Sequence, residues 1–216
     1  MSDVPRTVSD VMTHTVVAVG RHAGFKEIVK IMEQWKVSAL PVLEGEGRVV
    51  GVVSEADLLP KEEFRDTMPS PEGRVRRVSE LAKAGATTAE ELMSTPAVTV
   101  RPDASLAEAA RIMARRQVKR LPVTHADGML EGVVSRSDLL KVFLRADEEL
   151  ADEVRGKLAD LFPAPVEPLR VDASDGVVTV TGTVRDAALV PLAAYLVRSV
   201  EGVVRADCRL VGPDDA

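Results

Sequence analysis

The chain contains an internal repeat, and this repeat restricts its possible folds more than any other feature. Residues 9–59 align without a gap with residues 90–140, at a constant offset of 81 positions. The segment GVVSEADLL (51–59) returns as GVVSRSDLL (132–140), and KIMEQWKVSALPV returns as RIMARRQVKRLPV. Two copies are too few for a solenoid, which needs several stacked units. The repeat therefore predicts two similar modules that bury a shared face around a pseudo-two-fold axis.

Each copy is predicted to fold in the order β-α-β-β-α. The runs VVAV (16–19) and AVTV (97–100) predict short strands. Apolar residues then recur at helical spacing: Phe25, Ile28, Val29 and Met32 in the first copy, and Leu106, Ala109, Ala110 and Met113 in the second. Asp103 or Ser105 is expected to cap the second helix. Two further strands are predicted in each copy, first at the LPV run and then, after the turn EGEG or HADG, at RVVGVV or MLEGVV. A short helix then begins at SEADLL or SRSDLL.

The remaining segments predict a linker and a second, smaller domain. Residues 60–86 are rich in Pro, Gly and charge, which predicts a solvated loop in which Leu81 and Ala82 begin a short helix.

The C-terminal third predicts the order α-β-β-α-β. Its first helix, residues 148–161, has an apolar face of Leu150, Val154, Leu158 and Leu161. Its second helix, residues 186–200, is expected to face inward with Leu189, Leu192, Ala193, Leu196 and Val200. The fold class is α+β.

Composition and scattered polar residues disfavour several function classes. A net charge of −6 and an aromatic content of 3% argue against nucleic-acid binding. Cys208 is the single cysteine, and the polar N-terminus does not resemble a signal peptide, so a cytoplasmic location is expected. His14, His22 and His125 lack metal-ligand spacing, and the sequence shows no pattern typical of catalysis. Neither a metal site nor an enzymatic activity is therefore expected.

Ser54 and Asp57 recur as Ser135 and Asp138, each pair three residues apart where a strand meets a helix. One interpretation is structural, because Ser at an N-cap and an acidic residue in the first turn both stabilise a helix start. The other is functional, because a helix start binds phosphate and a carboxylate can accept hydrogen bonds from both hydroxyls of a ribose. The two pairs predict either helix caps or half of a nucleotide site.

The doubled pattern of VSALPV or VKRLPV followed by GVVSxxDLL resembles a tandem pair of CBS domains, a Bateman module. The resemblance covers residues 6–59 and 87–145, with 60–86 as the linker. The segments VDASDGVVTVTGTV and VRSVEGVVRADCRL resemble a BON domain over residues 148–213. These resemblances imply two β-α-β-β-α CBS repeats, two ligand clefts between them, and a homodimer assembled through the pair.

The CBS resemblance also implies which residues line each cleft, since the Ser and Asp of one repeat face the first two strands of the other. Asp138 would hold the ribose, Ser135 would lie near the phosphate, and the backbone of Val37 and Ala39 would meet the adenine edge. Cleft A would contain Thr13, Ala18, Val37, Ser38, Ala39, Pro41, Ser135, Arg136 and Asp138. Cleft B would contain Ser54, Asp57, Ser94, Thr99, Val118, Lys119, Arg120 and Pro122. Since Arg136 attracts a phosphate and Glu55 repels it, cleft A is expected to bind better.

The implied function is that of a cytoplasmic, non-enzymatic sensor. Its regulatory ligand would be AMP, ADP or ATP, with S-adenosylmethionine as the weaker candidate. The BON domain would relay the bound state to an unidentified protein partner, and binding to membrane lipid is a weak expectation. Two alternatives stay open: an interaction scaffold with empty clefts, in which the Ser and Asp residues only cap helices, and a phospholipid-associated protein that acts through the BON domain.

Overall fold

A computed structural model describes residues 6–64 and 74–212, with only the backbone for residues 74–79. The chain divides into two compact units, one of Arg6–Asp138 and the other containing Leu139–Ala216. Helices and short sheets occur in both units, which confirms the α+β class. In the described ranges, no helix has both the length and the apolar character needed to cross a bilayer.

The two copies of the repeat form most of the first unit. The first copy and the segment that follows it form α1 Val8–Val11, β1 Val19–Gly20, α2 Phe25–Trp35, β2 Ala39–Glu44, β3 Arg48–Ser54, α3 Glu55–Leu58, α4 Pro60–Glu63 and α5 Arg74–Gly85. The second copy forms α6 Ala89–Leu92, α7 Leu106–Arg116, β4 Arg120–Thr124, β5 Leu130–Ser135 and α8 Arg136–Leu140. The one-turn helices α1 and α6, which the sequence patterns did not predict, lie at corresponding positions at the starts of the two copies.

The first strand of each copy is shorter than predicted. Of the run 16–19 only Val19 belongs to β1, where it pairs in parallel with Val42. Of the run 97–100 only Val100 pairs, through an isolated parallel bridge to Val123. β-branched residues favour extended backbone, but a strand also requires a partner along its length. Here the partner strand is reached only at the end of each run.

The long helices of the two copies begin and end in similar ways. Ser105 caps α7 by accepting a hydrogen bond from the Glu108 backbone N–H at 3.2 Å, so Ser105 and not Asp103 is the cap. Lys36 and Gln117, which correspond in the repeat, end α2 and α7 with left-handed φ angles of 53° and 56°. This conformation reverses the chain at the helix end and leads it directly into β2 or β4.

The two copies bury a shared face, as the repeat predicts. The core around Ile28 and Leu40 of the first copy also contains Ala89 and Leu92 from the start of the second. Glycine allows this close approach at the edge of β5. A Cβ atom at Gly132 would lie 2.6 Å from the Met12 sulfur and 3.0 Å from a backbone oxygen of the first copy. Gly51 occupies the corresponding place in β3 and packs against Met93.

The prediction of a solvated loop over residues 60–86 is wrong at its start, where α4 Pro60–Glu63 forms, and over its second half. Residues Arg74–Gly85 form a 12-residue helix, and Leu81 and Ala82 lie inside it instead of starting it. The sequence RVRRVSELAKAG consists mainly of strong helix formers, which outweighs the effect of the nearby prolines. The prolines and glycine that suggested a loop lie largely in residues 65–73, outside the described residues.

The second unit has the predicted order α-β-β-α-β. It forms α9 Asp147–Leu161, β6 Arg170–Ser174, β7 Val177–Thr183, α10 Val190–Ser199 and β8 Arg205–Val211, and its sheet has the order β6-β7-β8. The hairpin between β6 and β7 turns at Asp175 and Gly176, which both have positive φ, as a tight hairpin turn requires. Asp147 accepts hydrogen bonds from both of these backbone N–H groups at 2.8 Å.

The last helix differs from the prediction in its start and in one inward position. A 3₁₀ turn, Ala187–Leu189, precedes α10, and Pro191 lies in the first turn of α10. Leu192, predicted to face inward, is 44% exposed, whereas Val197 is buried. Leu192 lies about 100° around the helix from the buried Ala193, because each helical residue advances by that angle. It therefore falls at the edge of the buried stripe.

Candidate functional site

Two strand-to-helix junctions carry the paired Ser and Asp side chains. At the first, the Asp57 carboxylate accepts hydrogen bonds from the Ser54 backbone N–H at 2.8 Å and from the Ser54 hydroxyl at 2.7 Å. At the second, the Asp138 carboxylate accepts from the Ser135 N–H at 2.9 Å and from its hydroxyl at 2.5 Å. Both carboxylates are buried, with Asp57 and Asp138 each 8% exposed. Each pair thus forms the predicted cap, with its carboxylate held in one position.

Antiparallel bridges bring each junction next to the other copy of the repeat. The Thr13 backbone N–H donates to the Val133 carbonyl at 2.9 Å, two residues before Ser135. In the same way, the Ser94 N–H donates to the Val52 carbonyl at 2.9 Å, two residues before Ser54. The structure therefore brings Thr13 to the strand that ends in Ser135, and Ser94 to the strand that ends in Ser54.

The starts of β2 and β4 contact the junction of their own copy through backbone hydrogen bonds. The Glu55 N–H donates to the Ser38 carbonyl at 3.1 Å, and the Arg136 N–H donates to the Lys119 carbonyl at 3.1 Å. The strand register adds Ala39 opposite Ser54 and Arg120 opposite Ser135. Each junction is thus bonded to its own copy as well as to the other copy.

A cavity of about 430 Å³ opens at the first junction, where Glu55 and Leu58 of α3 form part of its wall. It is lined by Val29, Met32, Glu33, Lys36, Val37, Ser38, Glu55, Leu58 and Arg120. Val37 and Ser38 were assigned to cleft A and Arg120 to cleft B, so this cavity joins residues from both predicted clefts. Its volume lies within the range usual for small-molecule sites, about 300–1,000 Å³.

The cavity wall that the sequence did not predict comes from α2 and α3. Val29, Met32, Glu33 and Lys36 follow one another at intervals of three, one and three residues, so they share one face of α2. The sequence places Val29 and Met32 at helical spacing, but it predicts only a core position for them. Because Val29 is 42% exposed, this face contributes to the cavity as well as to the core.

Charges of both signs line the cavity. Lys36 and Arg120 are cationic, whereas Glu33 and Glu55 are anionic. Lys36 forms an ion pair with Glu33, and its hydrogen bond lowers the pKa of the Glu33 carboxyl. Arg136, expected to attract phosphate in cleft A, donates from its guanidinium to the Val118 carbonyl at 3.1 Å. Two cations, Lys36 of the first copy and Arg120 of the second, therefore line the cavity.

The other predicted residues lie on the strands and entry segments around the junctions. Pro41 pairs with Val52 and Pro122 with Val133, so each proline lies on the strand next to a junction. Ala18 and Thr99 directly precede Val19 and Val100, the residues that pair with Val42 and Val123. The sequence patterns missed Lys83 of α5, which forms an ion pair with Asp57.

The structure also shows the surroundings of the remaining metal-ligating and reactive side chains in the described ranges. Among the residues that the structure describes, no three His, Cys, Asp or Glu side chains are grouped as a metal site. Cys208 lies in β8, and partial burial raises the pKa of its thiol, which disfavours the reactive thiolate. Trp35 ends α2 and is 54% exposed.

Two protein-family models match the sequence. The model described as CBS domain matches residues 8–61 and 89–145. The chain belongs to the CBS-domain family. The model described as BON domain matches residues 146–211. The predicted organisation, a CBS pair followed by a BON domain, is therefore confirmed.

Relatives with known sequence or structure resemble this CBS protein over about two thirds of its length. The chloroplastic CBS domain-containing protein CBSX2 of Arabidopsis thaliana is 30% identical over 156 residues, 66% of each chain. A crystal structure of CBSX2 in complex with AMP has a TM-score of 0.57 and 28% identity, and it covers 64% of this chain and 96% of that chain. An uncharacterized protein of Methanocaldococcus jannaschii is 26% identical over 153 residues, 63% of this chain and 90% of its own length.

Proposed function

We propose that this CBS protein is a non-enzymatic, cytoplasmic sensor that binds an adenine nucleotide between its two repeats. The similarity to CBSX2, whose crystal structure contains AMP, carries the proposal. The local geometry supports it, because a cavity of nucleotide size opens at the first junction and is also lined by Arg120, which pairs with Ser135 of the second junction. AMP, ADP and ATP are the candidate ligands, and S-adenosylmethionine is a weaker one.

In the proposed complex, the nucleotide occupies cleft A. The Asp138 carboxylate accepts hydrogen bonds from the ribose hydroxyls, and the Ser135 hydroxyl lies near the phosphate. The backbone of Val37 and Ala39 meets the adenine edge. The Arg120 guanidinium attracts the phosphate, since Arg120 lines the cavity and pairs with Ser135 in the strand register. A guanidinium suits this role because its charge-assisted hydrogen bonds to phosphate are about twice as strong as neutral ones.

The proposed mechanism of sensing is a shift between two arrangements of the repeats. Thr13 of the first copy and Val133 of the second are joined by two backbone hydrogen bonds, so a ligand that contacts this bridge touches both copies. Such a ligand stabilises the arrangement in which its contacts are complete, and it shifts the population only by its difference in affinity for the two arrangements. The shift is relayed through a homodimer, or through the BON domain to a protein partner.

Calorimetric titration with AMP, ADP, ATP and S-adenosylmethionine tests the proposal. We expect saturable binding of at least one of them and a higher melting temperature, because a ligand at 100 times its Kd stabilises the folded state by about 2.7 kcal/mol. GTP serves as a control for base recognition. If none of the four adenosine compounds binds, the interaction scaffold with empty clefts becomes the better interpretation.

The homodimer is supported by apolar side chains that the CBS pair leaves exposed on α2 and after α3. Val29, Trp35 and Leu59 are 42%, 54% and 55% exposed. We expect the wild-type chain to be a dimer in solution, and Trp35→Ala to weaken it by about 30-fold or more, the effect of losing about 2 kcal/mol at a Trp hot spot. Light scattering after size-exclusion chromatography measures this, with Gln34→Ala as a control. A monomeric wild-type chain would contradict the assembly.

The BON domain is proposed to contact the protein partner through α10. Leu192 and Tyr195, three residues apart on this helix, are 44% and 63% exposed. Residues at this spacing lie next to each other on a helix surface, and aromatic residues are enriched at protein interfaces. This face therefore offers an apolar contact for the partner.

A further inference from the structure

Strand β8 lies at one edge of the sheet in the second unit. The sheet has the order β6-β7-β8, so among the described residues β8 pairs with β7 only. The Arg205 N–H donates to the Gly176 carbonyl at 3.4 Å, just before β7, and the Val211 carbonyl accepts from the Val184 N–H at 2.9 Å, just after it. The backbone groups of Arg205 and Val211 therefore point toward β7, as do those of the alternate residues between them.

The backbone groups of the intervening residues point to the outer side of β8, because these groups alternate in direction along a strand. They belong to Ala206, Cys208 and Leu210. In the described ranges, no backbone hydrogen bond on this side reaches another segment. An edge of this kind offers unpaired N–H and C=O groups that can pair with another chain.

The side chains of β8 divide between two faces of the sheet. Ala206, Cys208 and Leu210 pack against the core of the unit. Asp207 and Arg209 lie on the other face, with side chains 30% and 69% exposed, and the Arg209 guanidinium donates to the Asp207 carboxylate at 2.7 Å. Opposite charges thus lie on either side of Cys208, the midpoint of the strand.

These charges make β8 complementary to an antiparallel copy of itself in one register. A second copy of Arg205–Val211 overlaps along the whole strand only when Cys208 lies opposite Cys208. That register places Asp207 opposite Arg209 of the second copy, and Arg209 opposite its Asp207. The neighbouring registers that keep outward backbone groups opposite each other place Arg209 opposite Arg205 or opposite itself, and facing like charges destabilise a sheet. Overlap and charge therefore favour the same alignment.

We propose that β8 pairs with β8 of a second copy of this chain, antiparallel and centred on Cys208. The two three-stranded sheets then form one sheet of six strands, and the same residues contribute on both sides, as in a two-fold symmetric dimer. Two Asp207–Arg209 ion pairs form at the non-hydrogen-bonded positions beside Cys208, where facing side chains are closest. The contact involves only the second unit, so it is distinct from the homodimer proposed for the CBS pair.

Cross-linking at Cys208 tests this pairing. Cys208 is the single cysteine, and facing Cα atoms in a hydrogen-bonded antiparallel pair are about 5.5 Å apart, so a short bifunctional maleimide can join the two thiols. We expect the wild-type chain to give a covalent dimer on a denaturing gel. Asp207→Arg or Arg209→Asp alone should lower its yield about 10-fold, because two attractive pairs become two repulsive ones.

An equal mixture of the Asp207→Arg and Arg209→Asp chains should recover the wild-type yield. Each variant chain carries like charges at positions 207 and 209, but the facing charges in the mixed pair are again opposite. An ion pair within one chain cannot give this recovery. Arg170→Asp is the control, since it reverses an exposed arginine at the start of β6 and should leave the yield unchanged. Light scattering of the same chains, each with Trp35→Ala to weaken the CBS contact, measures the association without the thiol.

The outcomes distinguish this contact from the homodimer of the CBS pair. A covalent dimer that is lost in the single variants and returns in the mixture supports the β8 pairing. A mixture that associates no more than either variant, by cross-linking and by light scattering, overturns it. A wild-type dimer that gives no cross-link at Cys208 and dissociates with Trp35→Ala assembles through the CBS pair alone, which also overturns the β8 contact but leaves the proposed homodimer standing.

Discussion

Replacing Asp138 with alanine is expected to weaken nucleotide binding by at least about 100-fold while the chain stays folded. A hydrogen bond to a charged group contributes about 1.5–3 kcal/mol, and this substitution removes two from the ribose. The lost cap, which consists of the two hydrogen bonds from Ser135, lowers the free energy of unfolding by about 1 kcal/mol. Calorimetry measures the affinity, and urea denaturation measures the stability.

The repeat supplies a matched control for this experiment. Asp57→Ala removes the corresponding two hydrogen bonds from Ser54, so it loses a similar cap. It should nevertheless retain the wild-type affinity for the nucleotide, because Asp57 lies in cleft B, where the neighbouring Glu55 repels a phosphate. If both variants bind as tightly as the wild-type chain, Asp57 and Asp138 act only as caps and the ribose role of Asp138 is wrong.

Replacing Gly132 with valine is expected to destabilise the CBS pair by about 3 kcal/mol and to weaken nucleotide binding. A Cβ atom at this position would lie 2.6 Å from the Met12 sulfur and 3.0 Å from the Thr13 carbonyl oxygen. Met12 can move, but the Thr13 carbonyl is part of the backbone bridge to Val133. Overpacking of this kind usually lowers the free energy of unfolding by about 1–3 kcal/mol. Because the backbone must move here, we expect a loss at the upper end of that range.

The binding defect follows from the same displacement. If Thr13 moves away from β5, it also moves away from the Ser135–Asp138 junction at the end of that strand. Gly20→Val is the control, since a Cβ atom at Gly20 has no heavy atom within 4 Å, so its stability should change by less than about 0.5 kcal/mol. Equal losses in the two variants would show that the close approach at Gly132 has no special role.

Much of the fold could be predicted because it depends on local sequence patterns that occur in both copies of the repeat. Ile28 and Met32 recur as Ala109 and Met113 at helical spacing, and each set is buried on its helix. The length of the first strand in each copy could not be predicted in this way. VVAV has strand composition, but only Val19 reaches a partner strand, and pairing depends on residues more than 20 positions away.

The candidate nucleotide site likewise has a local part that the sequence predicts and a non-local part that it does not. The Ser–Asp pairs are local, three residues apart, and their hydrogen bonds form as a capping motif predicts. The cavity is not local, since Arg120 of the second repeat and Val37 and Ser38 of the first all line it. The sequence assigned these residues to two different clefts, because a spacing in sequence does not define which side chains share a cavity.

The sequence by itself determined that two similar modules pack together, where their long helices and their two paired strands lie, and that each carries a serine and an aspartate at a helix start. These properties follow from periodicity and from short-range hydrogen bonding, which depend on neighbours along the chain. Only the tertiary structure decided which distant side chain pairs with Asp57. Lys83 reaches Asp57 because α5 packs on the first repeat, and a helix that packs there brings together side chains 26 residues apart.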